Sequence, residues 1–215
     1  MAQTVAVLTG DVVASSEYVR SAGDSLEPLR RSLEDVKNLS NDSLRTPMPI
    51  FRGDSFQGVF SPPSAGLRAA IVLYASFLHH AAGKRRPSGL RIAVAVGRVD
   101  RVPRGSPGES TDEVFRLSGE TLDRIPRNRR LMVRTPDEKV NAGMAMGCAL
   151  VDELLLRWTP TQAEAVLWMF RGKTQAEAAE RIGITQPSVW QRLRGAGWEA
   201  ISVFLERSRE LLDDL

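Results

Sequence analysis

Cysteine is almost missing from this chain: Cys148 stands alone among 215 residues. An intramolecular disulfide is therefore excluded, and so is a thiolate cage for a metal. Histidine is nearly as scarce, present only as the adjacent pair His79 and His80 on an apolar segment. Neither has a partner at ligand spacing, so a packed or exposed pair is expected there rather than a metal site. No run of 18 or more apolar residues occurs, which excludes a membrane-spanning helix. The opening residues MAQTVAVLTGDVV lack a basic segment and a long apolar stretch, and they read as a strand rather than a secretory signal. With no disulfide framework, a cytoplasmic protein without membrane contact is the expectation.

What remains is an ordinary globular composition, 42% hydrophobic and 26% charged, neither disordered nor fibrous. The length allows one larger domain and one small one. The net charge of +3 is unevenly spread: residues 1–158 carry 22 Lys/Arg against 18 Asp/Glu, whereas residues 159–215 carry 7 against 8. Any polyanion contact in the second part must come from cations gathered on one face, not from bulk charge.

Hydrophobic period gives the order of elements. Thr4–Thr9 is a short β-rich apolar run ending at Gly10-Asp11, and reads as a buried strand. Leu26, Leu29, Leu33, Val36 and Leu39 recur at helical spacing, with Pro28 in the first turn. Residues 47–60 hold two apolar runs around Arg52-Gly53-Asp54-Ser55, the pattern of a hairpin. An apolar helix over 65–82, a strand over Leu90–Val96, a helix over Val114–Ile125 and a strand at Leu131–Val133 follow. The expected fold is α+β, a ferredoxin-like βαββαβ domain over 1–136 with its helices on one face of the sheet. Residues 101–112 are expected to form a loop. A connecting helix spans 137–158, in which Met144, Met146 and Cys148 read as core. Residues 159–215 form a small all-α domain.

In that last segment the caps fall in register. Thr159-Pro160 starts one helix and Gly172 ends it. Thr174 caps the next, with Glu177 three residues on as in a capping box. Ile182-Gly183-Ile184 is a turn needing a positive φ at Gly183, and Thr185 with Pro187 starts a further helix in which Val189 and Leu193 point inward. The final helix, Trp198–Leu212, has an apolar series interrupted by Ser208. This pattern resembles the helix-turn-helix of sigma-factor region 4 and of bacterial response regulators. The resemblance implies that the helix from Gln186 enters the major groove of double-stranded DNA. Gln186, Ser188, Gln191 and Arg192 would then face base edges, with Trp190 beside them. Lys173, Thr174, Thr185 and Arg194 would sit near phosphates, which position without specifying. The bland alternative is an αα-hairpin used only for packing.

Two acidic motifs mark the first part: Leu8-Thr9-Gly10-Asp11-Val12-Val13 and Phe51-Arg52-Gly53-Asp54-Ser55-Phe56. In a βαββ core the first strand neighbours the hairpin, so Asp11 and Asp54 are expected to converge at one sheet end. Paired carboxylates suit Mg²⁺, which also recruits phosphate oxygens. The alternative is turn chemistry alone, or pairing of Arg52 with either aspartate.

The pair resembles the metal-binding aspartates of class III nucleotidyl cyclases, and Arg52–Phe56 is similar to the hairpin motif of the GGDEF-like diguanylate cyclases. The whole arrangement, with its C-terminal helix-turn-helix, resembles the SatD family of bacterial proteins. The resemblance implies Mg²⁺ on Asp11 and Asp54, and a nucleotide or related phosphorylated ligand near Gly10, Arg52, Gly53, Ser55 and Arg116. The cyclase helix bearing Asn and Arg has only Arg116 to offer here, and no base-selecting Lys/Asp pair is evident. Loss of that set removes transition-state charge stabilisation. The expectation is a homodimeric transcription regulator that binds a nucleotide without cyclising it efficiently. The alternative is an active Mg²⁺-dependent cyclase or phosphoryl-transfer enzyme with an appended DNA-binding domain.

Overall fold

The computed structural model describes residues 2–13, 26–51, 53–83, 89–102 and 112–215. Arg52 and the stretch 103–111 of the expected loop lie outside them. The strands are β1 (Gln3–Val12), β2 (Ile50–Phe51), β3 (Ser55–Phe60), β4 (Leu90–Val99) and β5 (Leu131–Arg134). The helices among the described residues are α1 (Glu27–Ser40), α2 (Pro63–His80), α3 (Glu113–Asp123), α4 (Glu138–Leu155), α5 (Pro160–Phe170), α6 (Gln175–Ile182), α7 (Gln186–Ala196) and α8 (Trp198–Asp213).

One five-stranded sheet runs in the order β2-β3-β1-β4-β5. β1 is central and antiparallel to both β3 and β4, while β5 joins β4 in parallel. β1 and β4 are buried at most positions, and their side chains alternate between faces. Ala6, Leu8 and Val12 share a core with Leu29, Leu33 and Val36 of α1 and with α2. Val5, Val7 and Ala95 face the other way, against Val114 and Phe115 of α3. The expectation of helices on one face is therefore corrected: α3 covers the second face. Continuous apolar runs such as VAVL and IAVAV signal a sheet buried on both sides, not a half-solvated one.

The helices after Thr159 belong to the first of these cores. α5 and α8 pack on α2, and Trp158, Ala163, Val166, Leu167, Ile201 and Leu212 join the same cluster as Leu73 and Phe77. Arg68 on α2 donates to the Leu39 carbonyl at 3.1 Å and to the Phe170 carbonyl at 2.9 Å, so one guanidinium closes the ends of α1 and α5. Its cation lies 5.0 Å from the Phe170 ring centroid. Asp35 on α1 accepts from Ser76 at 2.5 Å, pairs with His80 at 2.8 Å and meets Arg171 at 3.4 Å.

One reading of the connecting helix is overturned. Met144 and Cys148 of α4 are core, but Met146 is 67% exposed. The helical period explains the difference: Met144, Cys148, Val151 and Leu155 lie on one stripe, and Met146 is half a turn away from it.

Candidate functional site

β1 and β4 are paired so that Asp11 stands directly opposite Arg91. Arg91 grips the carboxylate with two parallel bonds, Nε to Oδ1 at 3.0 Å and Nη2 to Oδ2 at 2.5 Å. Such a fork is the strong form of the Arg–carboxylate bond. The bond to Asp11 raises the Arg91 pKa above its ordinary value against the opposing effect of burial, and the charges of Asp11, Asp123 and Asp54 add to the rise. Asp54, just beyond the β2–β3 turn, reaches the same place: its Oδ2 accepts from the Val12 N–H at 3.0 Å. The Asp54 side chain thus comes to the β1 backbone one residue from Asp11.

Gly10 precedes Asp11 inside the sheet. A Cβ there would lie 2.4 Å from the Phe56 ring and 2.7 Å from the Arg91 carbonyl, so this glycine makes room for β4 and Phe56. Gly53 holds the turn with φ +90°, and Ser55 opens β3 opposite Phe51. Arg52 is not among the described residues; among those that are, Arg91 is the cation that meets Asp11. Arg116 sits elsewhere, ion-paired with Glu113 and Glu120 on α3. The N-terminal half of α3 packs near Gly97, six residues along β4 from Arg91. The helix runs back from there along the sheet, and Ser118, two residues after Arg116, bonds Thr9, two residues before Asp11 on β1.

Sequence reading missed Arg91. Its partner lies 80 positions away, and only strand register joins them. It also missed the role of Gln57 in the RGDSFQ segment. Gln57 donates to Thr9 Oγ1 at 2.8 Å and to Ser118 Oγ at 3.1 Å, a buried triad tying β1 and β3 to α3. A groove of about 1030 Å³ borders the β2–β3 turn at Gly53, lined by Leu26, Leu33 and Met48 together with Arg30, Lys37 and Arg45.

Both oxygens of Asp11 are taken by Arg91 and one of Asp54 by the Val12 N–H, so an oxygen-seeking divalent ion would have to displace the Arg91 fork to be held by both carboxylates. Among the described residues no group of three or more His, Cys, Asp or Glu side chains gathers as a metal cage.

The second candidate surface is at the C-terminal helices. α6 opens with a reciprocal capping box: Glu177 N–H donates to Thr174 Oγ1 at 3.2 Å and Thr174 N–H donates to Glu177 Oε2 at 2.8 Å. The Thr174 backbone bond holds the Glu177 carboxyl down at about 2. Lys173 also pairs with Glu177, at 3.2 Å. Gly183 turns the chain with φ +79°, and α7 starts under Thr185, whose Oγ1 accepts from the Ser188 N–H at 3.4 Å and meets Ser188 Oγ at 2.9 Å. α7 rests on α5, α6 and α8 through Val189, Leu193 and Ala196.

Gln186, Trp190, Gln191 and Arg194 form its exposed side. Arg194 lies 5.2 Å from the Trp190 ring centroid. Arg192 is turned inward and bonded to Glu164 of α5 at 2.9 Å. The structure thus brings four of the expected contacts onto one open face. It uses Thr174 and Thr185 as caps, bonds Ser188 to Thr185, and ties Arg192 and Lys173 to carboxylates.

No protein-family model matches the chain, and no curated protein matches it. Solved structures do. The guanylyl cyclase Cya2 is similar at 11% identity and TM-score 0.46, over 62% of this chain and 75% of that one. A bacterial light-regulated adenylyl cyclase is similar at 13% identity and TM-score 0.47, over 62% of this chain and 43% of the other. An EAL/GGDEF domain protein from M. capsulatus matches at 19% identity and TM-score 0.38, over 56% of this chain and 74% of that one.

Proposed function

We propose that the chain is a DNA-binding regulator whose sheet domain takes a nucleotide or related phosphorylated ligand. The observation that carries the reading is the open face of α7. Gln186, Gln191 and Arg194 stand on a helix whose start is capped, whose inner side is apolar, and which follows α6 through a left-handed glycine. Gln and Arg are the side chains that pair bidentately with adenine and guanine edges. Kinship with sigma-factor region 4 and with the SatD family belongs to this reading. So does a ferredoxin-like description of β1-α1-β2-β3-α2-β4, which the strand order supports.

The ligand would meet Arg91 and the groove beside Gly53, with Mg²⁺ held by Asp11 and Asp54. α2 offers the route between the two sites, because it packs on α1 and the sheet as well as on α5 and α8. The ligand acts by binding two arrangements of this stack unequally. One reading helix with no net positive charge around it binds weakly, so two copies would read paired half-sites.

The test uses the full chain and fragmented genomic DNA at graded salt. The Gln191→Ala/Arg194→Ala double variant is expected to lose retention while keeping its helical circular dichroism. Equal retention by both proteins, or none by the unaltered chain, would sink the reading. Convergence of Asp11 and Asp54 also favours a second reading, a Mg²⁺-dependent nucleotidyl cyclase or other phosphoryl-transfer enzyme. Turnover of ATP or GTP with Mg²⁺ or Mn²⁺, abolished by Asp11→Asn, would establish it over the first.

A further inference from the structure

α4 buries only one side. Opposite the core stripe, Met146 is 67% and Leu150 71% exposed, and Ala142 and Ala145 beside them are open to solvent too. Large apolar side chains exposed side by side on a rigid helix mark an interaction surface. α8 flanks this stripe, with Phe204 against Gly147, and its Val203 is exposed as well.

The pattern along the stripe names the partner. Lys139 and Glu153 lie seven residues to either side of Met146, on the same helical face. Neither side chain is clamped in a close ion pair among the described residues; the charge of Lys139 is felt at Asp137, two residues before it. Ala142 and Leu150 lie four residues to either side, one small and one large. An identical helix laid antiparallel about Met146 therefore sets Lys139 of each copy against Glu153 of the other. It also sets each Ala142 under the other's Leu150, and Met146 on the two-fold axis. A parallel arrangement would set like charge on like. Self-complementarity of this kind is what an isologous two-fold contact requires.

We infer that α4 is the homodimer interface, occupied by α4 of a second copy in antiparallel register centred on Met146. This places the two-fold on the helix joining the sheet to the C-terminal helices, and not within the sheet domain. The inference stands apart from the DNA-binding reading, because it concerns association in the absence of DNA.

Sedimentation velocity of the full chain over a hundredfold range of concentration, without DNA, is expected to show a monomer–dimer equilibrium. Met146→Glu should abolish the dimer with circular dichroism unchanged, since the side chain is exposed in the monomer. Lys139→Glu or Glu153→Lys alone should weaken association roughly tenfold, because each reverses two symmetry-related pairs. The double exchange Lys139→Glu/Glu153→Lys should restore it. Met146→Cys, with Cys148 buried, should yield a covalent dimer under mild oxidation. A chain that stays monomeric, a dimer indifferent to Met146→Glu, or a double exchange that fails to rescue would overturn the assignment.

Discussion

Asp213, in the last helix, holds the first turn of α2: its Oδ1 accepts from the Ser64 N–H at 2.8 Å and its Oδ2 from the Ser64 hydroxyl at 2.8 Å. α2 has no side-chain cap of its own, so an acid from 149 positions away satisfies an orphan donor and complements the helix dipole. Asp213→Ala is expected to cost about 1 kcal/mol, the usual worth of an N-cap. Urea denaturation checks it. An unchanged midpoint with unchanged slope would show that water replaces the carboxylate at no loss.

Asp152 on α4 gives the chain a pH signature. It is 1% exposed, its Oδ1 has no hydrogen-bond partner, and burial pushes its pKa up to about 6, against the bond from the Arg130 N–H and the charge of Arg129. A raised carboxylate pKa means that the folded state holds the proton where the unfolded chain has lost it. Stability should therefore fall as pH rises from about 4 through about 6 and stay low above that window. The loss is on the order of 3 kcal/mol at most. In Asp152→Asn this fall should disappear from the folding free energy measured at pH 4, 5, 6 and 7. Parallel curves for the two proteins would remove Asp152 as the cause.

Arg192 and Arg194 are two residues apart and both expected at DNA, Arg192 at base edges and Arg194 near phosphates, yet their surroundings predict opposite behaviour. Arg192→Ala breaks a half-buried pair with Glu164 and should lower stability by about 1 kcal/mol, with DNA affinity little changed. Arg194→Ala should leave stability alone and weaken DNA binding. Fluorescence anisotropy with a retained fragment, alongside thermal denaturation, separates the two. If Arg192→Ala proves the more damaging to DNA binding at equal folded fraction, the assignment of the open face is wrong.

Gly10→Ala forces a methyl against Phe56 and the Arg91 carbonyl, both closer than 3 Å. The carbonyl is backbone and cannot swing away. The expected cost is about 1–3 kcal/mol, together with a shift in nucleotide or Mg²⁺ response because β4 carries Arg91. Isothermal titration and urea denaturation on the same sample test both halves. A variant as stable as the original would show that β4 relaxes freely.

Features set by local chemistry were legible in the sequence. Thr174 with Glu177, and Gly183 before Thr185, each announce a cap or a turn within four residues, and the helices begin and end there. The β-branched run Leu90–Val96 marked a central strand, which extends to Val99. What escaped depends on register and rotation. Arg91 meets Asp11 only because β1 and β4 pair at that offset. Arg192 faces Glu164 because of how α7 crosses α5. Met146 is apolar but lies off the buried stripe, and residue type alone does not place it. The second face of the sheet was written in the unbroken apolar runs, which a one-sided reading overlooked.

The guanidinium of Arg68, shared between the Leu39 and Phe170 carbonyls, bears on how such chains are recombined. The apolar underside of the helices after Thr159 is completed by α2, and one arginine on α2 finishes α5. A chimaera that joins residues 159–215 to a foreign sensor would have to carry α2 along, or rebuild its surface. The packing unit that includes these helices is thus larger than the segment 159–215 and discontinuous in sequence.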